Sequence, residues 1–165
     1  MNRYRVIQIV LLILYIGMLV FFTYECFQTG QKASDQAGNV AQVVASTQEK
    51  ITGKPVTVDN EYKKTLSKLF GHYGYFCLLG LVSILFYMTL KKFKPYIRFI
   101  MHLVVGVTFA FLSEFIAEAL TEGRNASILD VLIDSLGLVT LSGIFMIIYY
   151  IIIYKKNKQT KIEGE

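Results

Sequence analysis

Four long runs of apolar residues are the feature that most constrains the fold of this chain. They cover approximately Val6–Tyr24, Leu69–Leu90, Tyr96–Leu120 and Ile128–Tyr154. Each run is long enough to cross the hydrocarbon core of a bilayer, about 30 Å thick, as an α-helix. Of the 165 residues, 54% are hydrophobic and 18% are charged, a balance too apolar for an ordinary soluble domain. The sequence therefore predicts a single all-α membrane domain, residues 1–165, built as a bundle of four transmembrane helices.

The positively charged residues predict how this bundle is oriented. They collect before the first run, between the second and third, and after the fourth, in the clusters Arg3/Arg5, Lys91/Lys92/Lys94/Arg98 and Lys155/Lys156/Lys158/Lys161. With four spans, all three clusters fall on one side, which the positive-inside rule makes cytoplasmic. Both termini are then cytoplasmic, and residues 25–68 and 121–127 lie outside. We interpret the net charge of +5 as topology and attraction to anionic lipid head groups, and not as nucleic-acid binding.

The extracytoplasmic segment, residues 25–68, carries the pattern of one amphipathic helix. Within Ala33–Ile51, apolar residues such as Val40, Val43 and Val44 recur at spacings of three and four. Such a helix either covers the outer mouth of the bundle or lies on the outer leaflet. The following stretch, Ile51–Tyr62, contains a proline and predicts an extended linker.

Ionisable residues beside the apolar runs mark the predicted site. A carboxylate at the centre of a spanning helix costs about 2.5–3.5 kcal/mol, so a chain that keeps several must pair them or use them. The predicted topology gathers the outer end of each span at one membrane face. The residues brought together there are Lys68, His72, Glu114, Glu118, Arg124, Asp130 and Asp134. His102, alone in the middle of the third run, is predicted to be a core residue.

Several interpretations of this outer cluster stay open from the residues alone. In the first, the basic side chains of Lys68 and Arg124 pair with Glu118 and Asp130 and only fix the helix packing. In the second, the cluster binds a polar head group or an envelope-lipid precursor, with Lys68 and Arg124 as anion contacts. In the third, His72 acts as a general acid or base beside a carboxylate. The spacing of the histidine and carboxylates is not diagnostic of a metal site, and we predict neither a metal nor a cofactor.

Two segments of the sequence resemble a known family. GHYGYFCLLG, residues 71–80, resembles the H-F-x-E-Y-x-x-L-G segment of VanZ-like membrane proteins, with Lys68 at the position of a basic residue before the histidine. SEFIAEALTEGRNASILDVLIDSLG, residues 113–137, is similar to that family's acidic–Gln–x5–Arg–x5–Asp–x6–Gly signature. Arg124, Asp130 and Gly137 fall on this motif, whereas Glu118 stands where the family usually has glutamine. The resemblance covers most of the chain.

The resemblance implies a multi-pass bacterial membrane protein associated with resistance to teicoplanin-type lipoglycopeptides. Our first hypothesis is an envelope protein whose cluster engages an amphiphile, either a lipid-tailed antibiotic or a lipid-linked wall precursor, with Arg124 meeting its anionic part. The second is a membrane enzyme that modifies an envelope lipid or wall precursor. In this hypothesis His72 transfers the proton, and Asp130 or Glu118 orients the His72 ring. The third is a structural or partner-binding membrane module. We favour binding over catalysis, with membrane lipids as partners and no oligomeric state assigned.

Overall fold

Helices account for all the regular structure that the computed structural model describes, in residues 3–118, 120–123 and 125–162. The α-helices are α1 (Arg3–Cys26), α2 (Gly30–Thr52), α3 (Asn60–Leu66), α4 (Tyr75–Met88), α5 (Pro95–Leu112) and α6 (Ile128–Ile162). Two π-helical segments complete the list, the first at Ser67–Gly74 and the second at Ser113–Glu118. The first joins α3 to α4 and the second extends α5, so two long helices run through residues 60–88 and 95–118. The predicted all-α class is confirmed.

Four of these helices are long and apolar enough to cross a membrane. They are α1, the helix of residues 60–88, the helix that begins at Pro95, and α6 over residues 128–157. The architecture is that of a multi-pass membrane protein. Successive spans run in opposite directions, which gives the bundle two distinct ends. We call the end where α1 terminates and α6 begins the cluster end, and the end where α1 begins and α4 terminates the basic end.

The second span begins earlier than the hydrophobic pattern predicts. Its helix starts at Asn60, whereas the apolar run starts only at Leu69. The Asp59 carboxylate accepts a hydrogen bond from the Tyr62 N–H at 2.7 Å and caps this start. The two polar turns that result carry the chain from α2 down into the bundle. They add mostly polar residues, with Leu66 as their one aliphatic side chain, so hydropathy alone does not detect them.

The amphipathic helix predicted at Ala33–Ile51 is α2. Thr29 caps its first turn, and Gly53, at a φ of 67°, ends it in the left-handed conformation that glycine adopts without strain. Its buried face consists of Ala41 and Ala45 and packs towards α3, while Val43 on another face is 66% exposed. The exposed valine is consistent with a helix that lies in a lipid leaflet.

Close backbone contacts fix the centre of the bundle. Helix α4 packs against α1, α5 and α6. A methyl group added at Gly80 would lie 2.4 Å from the Leu138 carbonyl oxygen, and one at Gly106 would lie 2.4 Å from the Leu138 side chain. At Gly137, an added methyl would lie 2.5 Å from the Tyr73 carbonyl oxygen. Glycine at these positions therefore permits the close approach of α4 and α5 to α6.

Backbone carbonyl groups anchor the basic end. The buried Arg98 guanidinium donates to the Phe93 carbonyl oxygen at 2.7 Å and to the Met88 carbonyl oxygen at 2.9 Å. These bonds close the turn between α4 and α5. The Tyr4 hydroxyl donates to the Thr89 carbonyl oxygen, so the start of α1 is held against the same turn.

Candidate functional site

Two acid–base pairs join the first π-helical segment to the first turns of α6. The Lys68 ammonium contacts the Asp130 carboxylate, and His72 Nδ1 lies 3.1 Å from Asp134 Oδ1. Both members of the second pair stand four residues after their counterparts in the first, so the pairs form two successive layers at the cluster end. The side chains of the outer pair are 23% and 14% exposed, and Asp134 in the inner layer is fully buried. The outer pair is partly exposed on both sides, whereas the inner pair joins the buried Asp134 to a histidine side chain that is 13% exposed.

The helix that supplies the basic partners departs from α-helical geometry where they lie. The first π-helical segment contains both Lys68 and His72, and the second contains Glu114. Single π-helical turns are rare and often occur at functional sites, because they re-aim side chains within a helix. Gly71 and Gly74 fall inside the first segment, and their low α-helical propensity favours the departure. Lys68, His72 and Glu114 of the predicted site thus lie in the two irregular turns, whereas Asp130 and Asp134 lie in α6.

Glu114 links the third span to the start of α6. Its side chain is 2% exposed, and its Oε1 accepts a hydrogen bond from the Ser127 N–H at 2.6 Å. The first N–H groups of a helix have no partner within the helix and carry partial positive charge, so a carboxylate there is stabilised. Glu114 is therefore a helix-capping group as well as a member of the predicted cluster.

One atom of the cluster is left without a hydrogen bond. Asp134 Oδ2 is buried and has no hydrogen-bond partner within the described part of the chain. Leaving a buried carboxylate oxygen unpaired is costly, and most native networks avoid it. The unused hydrogen-bond acceptor argues against the interpretation in which the cluster only fixes the helix packing.

Asp134 is an acid that contacts His72 in the structure. Of the two orienting groups predicted for His72, Asp130 or Glu118, Asp130 contacts Lys68 instead. The physical reason is helix register, because the four-residue offset on both helices allows only like layers to meet. Arg124 and the Glu118 side chain lie outside the described residues, and their predicted roles stay predictions.

A cavity of about 370 Å³ lies beside the two pairs. Its walls come from the end of α1, the first half of α2 and the first π-helical segment. Phe21, Phe22 and Tyr75 supply much of the apolar wall, while Glu25 and His72 are the lining residues able to carry charge. Within the described part of the chain, His72 is the predicted site residue that lines this cavity. The Lys68–Asp130 and His72–Asp134 contacts lie beside this open space, and His72 is the one of these four residues that lines it.

The aromatic side chains of the wall are fixed by contacts with one another. The ring of Phe22 stacks on that of Tyr75 with centroids 5.1 Å apart and meets the His72 ring edge-on at 6.2 Å. Phe21 stacks on Tyr75 at 6.1 Å, and the Tyr75 hydroxyl donates to the Met18 carbonyl oxygen at 2.5 Å. Sequence analysis did not identify these residues, because aromatic side chains at the end of an apolar run look like ordinary span boundaries.

The second histidine occupies a different environment. His102 is fully buried, as expected for a core residue, and its Nδ1 lies 2.8 Å from the Ser83 hydroxyl. Its Nε2 has no hydrogen-bond partner among the described residues. The rings of Tyr87 and Phe99 lie 6.2 and 6.0 Å from the His102 ring. His102 therefore joins α4 to α5 inside the core.

The described residues contain no group of three or more His, Cys, Asp or Glu side chains able to hold a metal ion. The two cysteines, Cys26 and Cys77, are buried and form no disulfide.

No protein-family model, curated protein or solved structure matches the chain. The resemblance to VanZ-like proteins accordingly stays a prediction that depends on the two motifs. What the site does must follow from its residues and geometry.

Proposed function

We propose that this protein lies in the bacterial cell membrane and binds an amphiphile at its cluster end, and that this binding protects the cell against teicoplanin-type lipoglycopeptides. The observation that supports the proposal is the cavity beside the His72–Asp134 pair. The link to antibiotic resistance comes from the VanZ-like motifs.

The cavity has the properties of a site for one part of an amphiphile. Its volume of about 370 Å³ falls at the lower end of the range for small-molecule sites, roughly 300–1,000 Å³. Apolar and aromatic walls suit an acyl chain or an aromatic ring, and His72 and Glu25 offer polar contacts at one side. An amphiphile would enter near α2, where Val40 and Val43 expose apolar surface. A ligand that partitions into the leaflet therefore reaches the cavity without crossing water.

The charge distribution supports an outward-facing site. The Lys and Arg clusters belong to the basic end, which the positive-inside rule makes cytoplasmic along with both termini. The cluster end and its cavity then face the outer leaflet. Lipoglycopeptides and lipid-linked wall precursors both occur on that side of the membrane.

Filling the cavity tests the proposal. Gly71 lines the cavity, and a methyl group there would come no closer than 3.8 Å to its nearest neighbour, the Ser67 hydroxyl oxygen. We expect Gly71→Leu to occupy the cavity and to lower the inhibitory concentration of teicoplanin to that of cells lacking the protein. The matched control is Gly17→Leu, because nothing lies within 4 Å of a methyl group placed there. Membrane abundance of both variants is measured by immunoblot. Full protection by Gly71→Leu at normal abundance contradicts the proposal.

Arg124→Ala separates binding from a purely structural role. If Arg124 meets an anionic part of the ligand, protection is lost while membrane abundance and melting temperature are kept. If the chain is a structural or partner-binding module, abundance or melting temperature falls together with protection.

A second candidate function, membrane enzyme, is favoured by the His72–Asp134 geometry. With the proton on Nδ1, the ring donates to Asp134 Oδ1, and this contact holds the tautomer in which Nε2 accepts protons. A carboxylate-oriented imidazole beside a cavity is a common arrangement for general acid–base catalysis. The substrate would be an envelope lipid or a lipid-linked wall precursor.

Product formation decides between the two candidates. Purified protein is incubated with lipid-linked wall precursor, and the lipid products are followed by mass spectrometry. For an enzyme we expect turnover in the wild type that falls at least about a hundredfold in His72→Ala, the lower range for loss of an acid–base group. Turnover that is unchanged in His72→Ala excludes His72 as the proton-transfer group.

A further inference from the structure

We infer that a groove at the basic end binds an anionic phospholipid, with an acyl chain in the groove and the phosphate between two lysines at its mouth. The groove lies between α5 and α6, away from the cavity beside His72. The inference therefore goes beyond the proposed function and does not depend on it. The occupant to which we commit is a leaflet lipid whose head group carries one phosphate and no compensating cation, the chemistry of phosphatidylglycerol.

The shape of the groove suits one acyl chain. It is an open groove of about 510 Å³ with apolar and aromatic walls. Tyr96 and Phe99 of α5 form one side, and residues between Gly143 and Ile151 on α6 form the other. The α6 side extends for about 12 Å at helical rise. Nothing lies within 4 Å of a methyl group placed on Gly143, so a side chain there would occupy open space. A chain that runs along the helix axes can fill this space.

One row of positions on α6 leads from the groove to a lysine. Gly143, Ile147, Ile151 and Lys155 stand four residues apart and therefore share one face of the helix. The first three line the groove, and Lys155 lies one turn beyond its end. On α5, Lys94 stands two positions before the first lining residue. Both lysines thus lie at the mouth of the groove, one on each helix.

The charges at this mouth are available to a ligand. The side chains of Lys94 and Lys155 are exposed and make no ion pair or hydrogen bond with other side chains in the part of the chain that the structure describes. Residues 1–24, 75–112 and 135–157 contain no Asp or Glu. A phosphate at the mouth would therefore meet two cations and no carboxylate from these segments. Lysines close to a membrane surface attract anionic lipids in this way.

The tyrosines of the groove indicate the level of the lipid head groups. Tyr96 and Tyr150 line the groove and are 52% and 46% exposed. Tyrosine is enriched at membrane–water interfaces, where its ring contacts the chains and its hydroxyl reaches water. Lys94 precedes Tyr96 and Lys155 follows Tyr150, so both lysines lie beyond the tyrosine level, where phosphates are found. The sequence predicted a general attraction to anionic head groups, and the groove gives one such lipid a defined position.

A matched pair of lipids measures the contribution of the head-group charge. The full chain is purified in detergent, and binding of phosphatidylglycerol and phosphatidylcholine with identical acyl chains is measured by native mass spectrometry. We expect phosphatidylglycerol to bind about tenfold more tightly, because two lysines attract its phosphate and no cation on the lipid offsets that charge.

Two variants locate the bound lipid. Lys94→Gln combined with Lys155→Gln should reduce the preference for phosphatidylglycerol to less than about twofold, since both cations at the mouth are lost. Gly143→Leu should weaken binding of both lipids at least about fivefold, because its side chain takes the place of the acyl chain and removes its contacts with the walls.

Each variant has a matched control. Lys50→Gln combined with Lys54→Gln makes the same change of charge at two exposed positions near the end of α2 and should keep the tenfold preference. Gly17→Leu adds the same volume on α1, where nothing lies within 4 Å of an added methyl group, and should keep both affinities.

Four outcomes would overturn the inference. The first is equal binding of the two lipids by the wild type. The second is a preference that persists without Lys94 and Lys155, or that falls equally in the control pair, because the attraction would then be a general effect of net charge. The third is unchanged binding in Gly143→Leu. The fourth is a wild-type dimer that Gly143→Leu converts into a monomer, which would make the groove an interface between copies.

The lipid comparison on the wild type keeps the test decisive even if a variant does not fold. None of these outcomes changes the cavity beside His72, so this inference and the proposed function can fail separately.

Discussion

The two histidines of this chain occupy different environments in the bundle, one beside a cavity and the other in the core. Each makes a hydrogen-bond contact through Nδ1, His72 at 3.1 Å to Asp134 and His102 at 2.8 Å to Ser83. Their surroundings differ. His102 is fully buried between helices in close contact, whereas the His72 side chain is 13% exposed and borders a cavity. A neutral hydroxyl partner fits a packing role, and a carboxylate partner beside open space fits a site.

The helices around the two histidines differ in the same way. Near His102, glycines at 80 and 106 bring helices into contact with Leu138, and the chain is regular. Around His72 the helix is π-helical, and Gly71 within it has room beside it, although a methyl group at Gly74 would lie 3.1 Å from the Leu69 carbonyl oxygen. Close packing leaves no space for a ligand, so the tolerance to added volume should separate the two regions.

Adding one methyl group should have opposite consequences in the two regions. Gly80→Ala places a methyl 2.4 Å from the Leu138 carbonyl oxygen, and the backbone there cannot move without separating α4 from α6. We expect a loss of about 3 kcal/mol in the free energy of unfolding, the upper range for overpacking. Gly71→Ala meets only the Ser67 hydroxyl at 3.8 Å and should change stability by less than about 1 kcal/mol. Unfolding in detergent, followed by circular dichroism, measures both. Equal losses would remove the distinction between the regions.

Coupling between His72 and Asp134 should be the next largest effect. A double-mutant cycle with His72→Ala and Asp134→Asn is expected to give a coupling energy of about 2 kcal/mol, because Asp134 is fully buried and loses its contact with His72. Both single variants should also lose protection against teicoplanin. Additive effects on stability would show that the 3.1 Å contact does not hold the two helices together.

The Ser83–His102 pair should contribute to stability alone. Ser83→Ala removes the hydroxyl that contacts His102 Nδ1. Both ring nitrogens of His102 are then buried without a hydrogen-bond partner among the described residues, which should lower the free energy of unfolding by about 1 kcal/mol. Protection against teicoplanin should stay at the wild-type level once membrane abundance is matched. Loss of protection at equal abundance would place His102 in the functional site and break the comparison.

The Lys68–Asp130 pair should have the smallest effect on stability. Both side chains are partly exposed, and we expect a coupling energy of about 0.5 kcal/mol in a cycle of Lys68→Met and Asp130→Asn. The coupling should fall further at high salt, which screens partly exposed charges. A salt-independent coupling above about 2 kcal/mol would indicate that this pair is as deeply desolvated as His72–Asp134.

The sequence predicted more about the spans than about the site. Hydropathy located the apolar part of each span, but it missed the polar turns at Asn60–Ser67, which a cap at Asp59 starts. The helical periodicity of residues 33–51 identified α2, but not that Ala41 and Ala45 form its buried face. The pattern of a helix shows that faces exist, while the partner helix decides which face is covered.

The site shows the same limit. Predicted topology brought Lys68, His72, Asp130 and Asp134 to one end, and the structure places these four together. It did not predict that His72 meets Asp134, since that depends on the relative rotation and depth of two helices. The binding hypothesis expected an outer-facing pocket but did not specify its walls, because the cavity is bounded by α1, α2 and the first π-helical segment, which are separate in sequence.

Sequence by itself determined the number of spans and which end of the bundle carries the ionisable cluster. A bilayer requires long apolar helices whose backbone groups form hydrogen bonds within the helix. The length and composition of the apolar runs show directly that this requirement is met. Tertiary structure alone decided which acid meets which base, where the helix widens into π-helical turns, and where space is left open. Many apolar surfaces allow several helix rotations of similar energy. The close contacts at Gly80, Gly106 and Gly137 select one rotation of the helices about their axes. That rotation also decides which charged side chains meet at the cluster end.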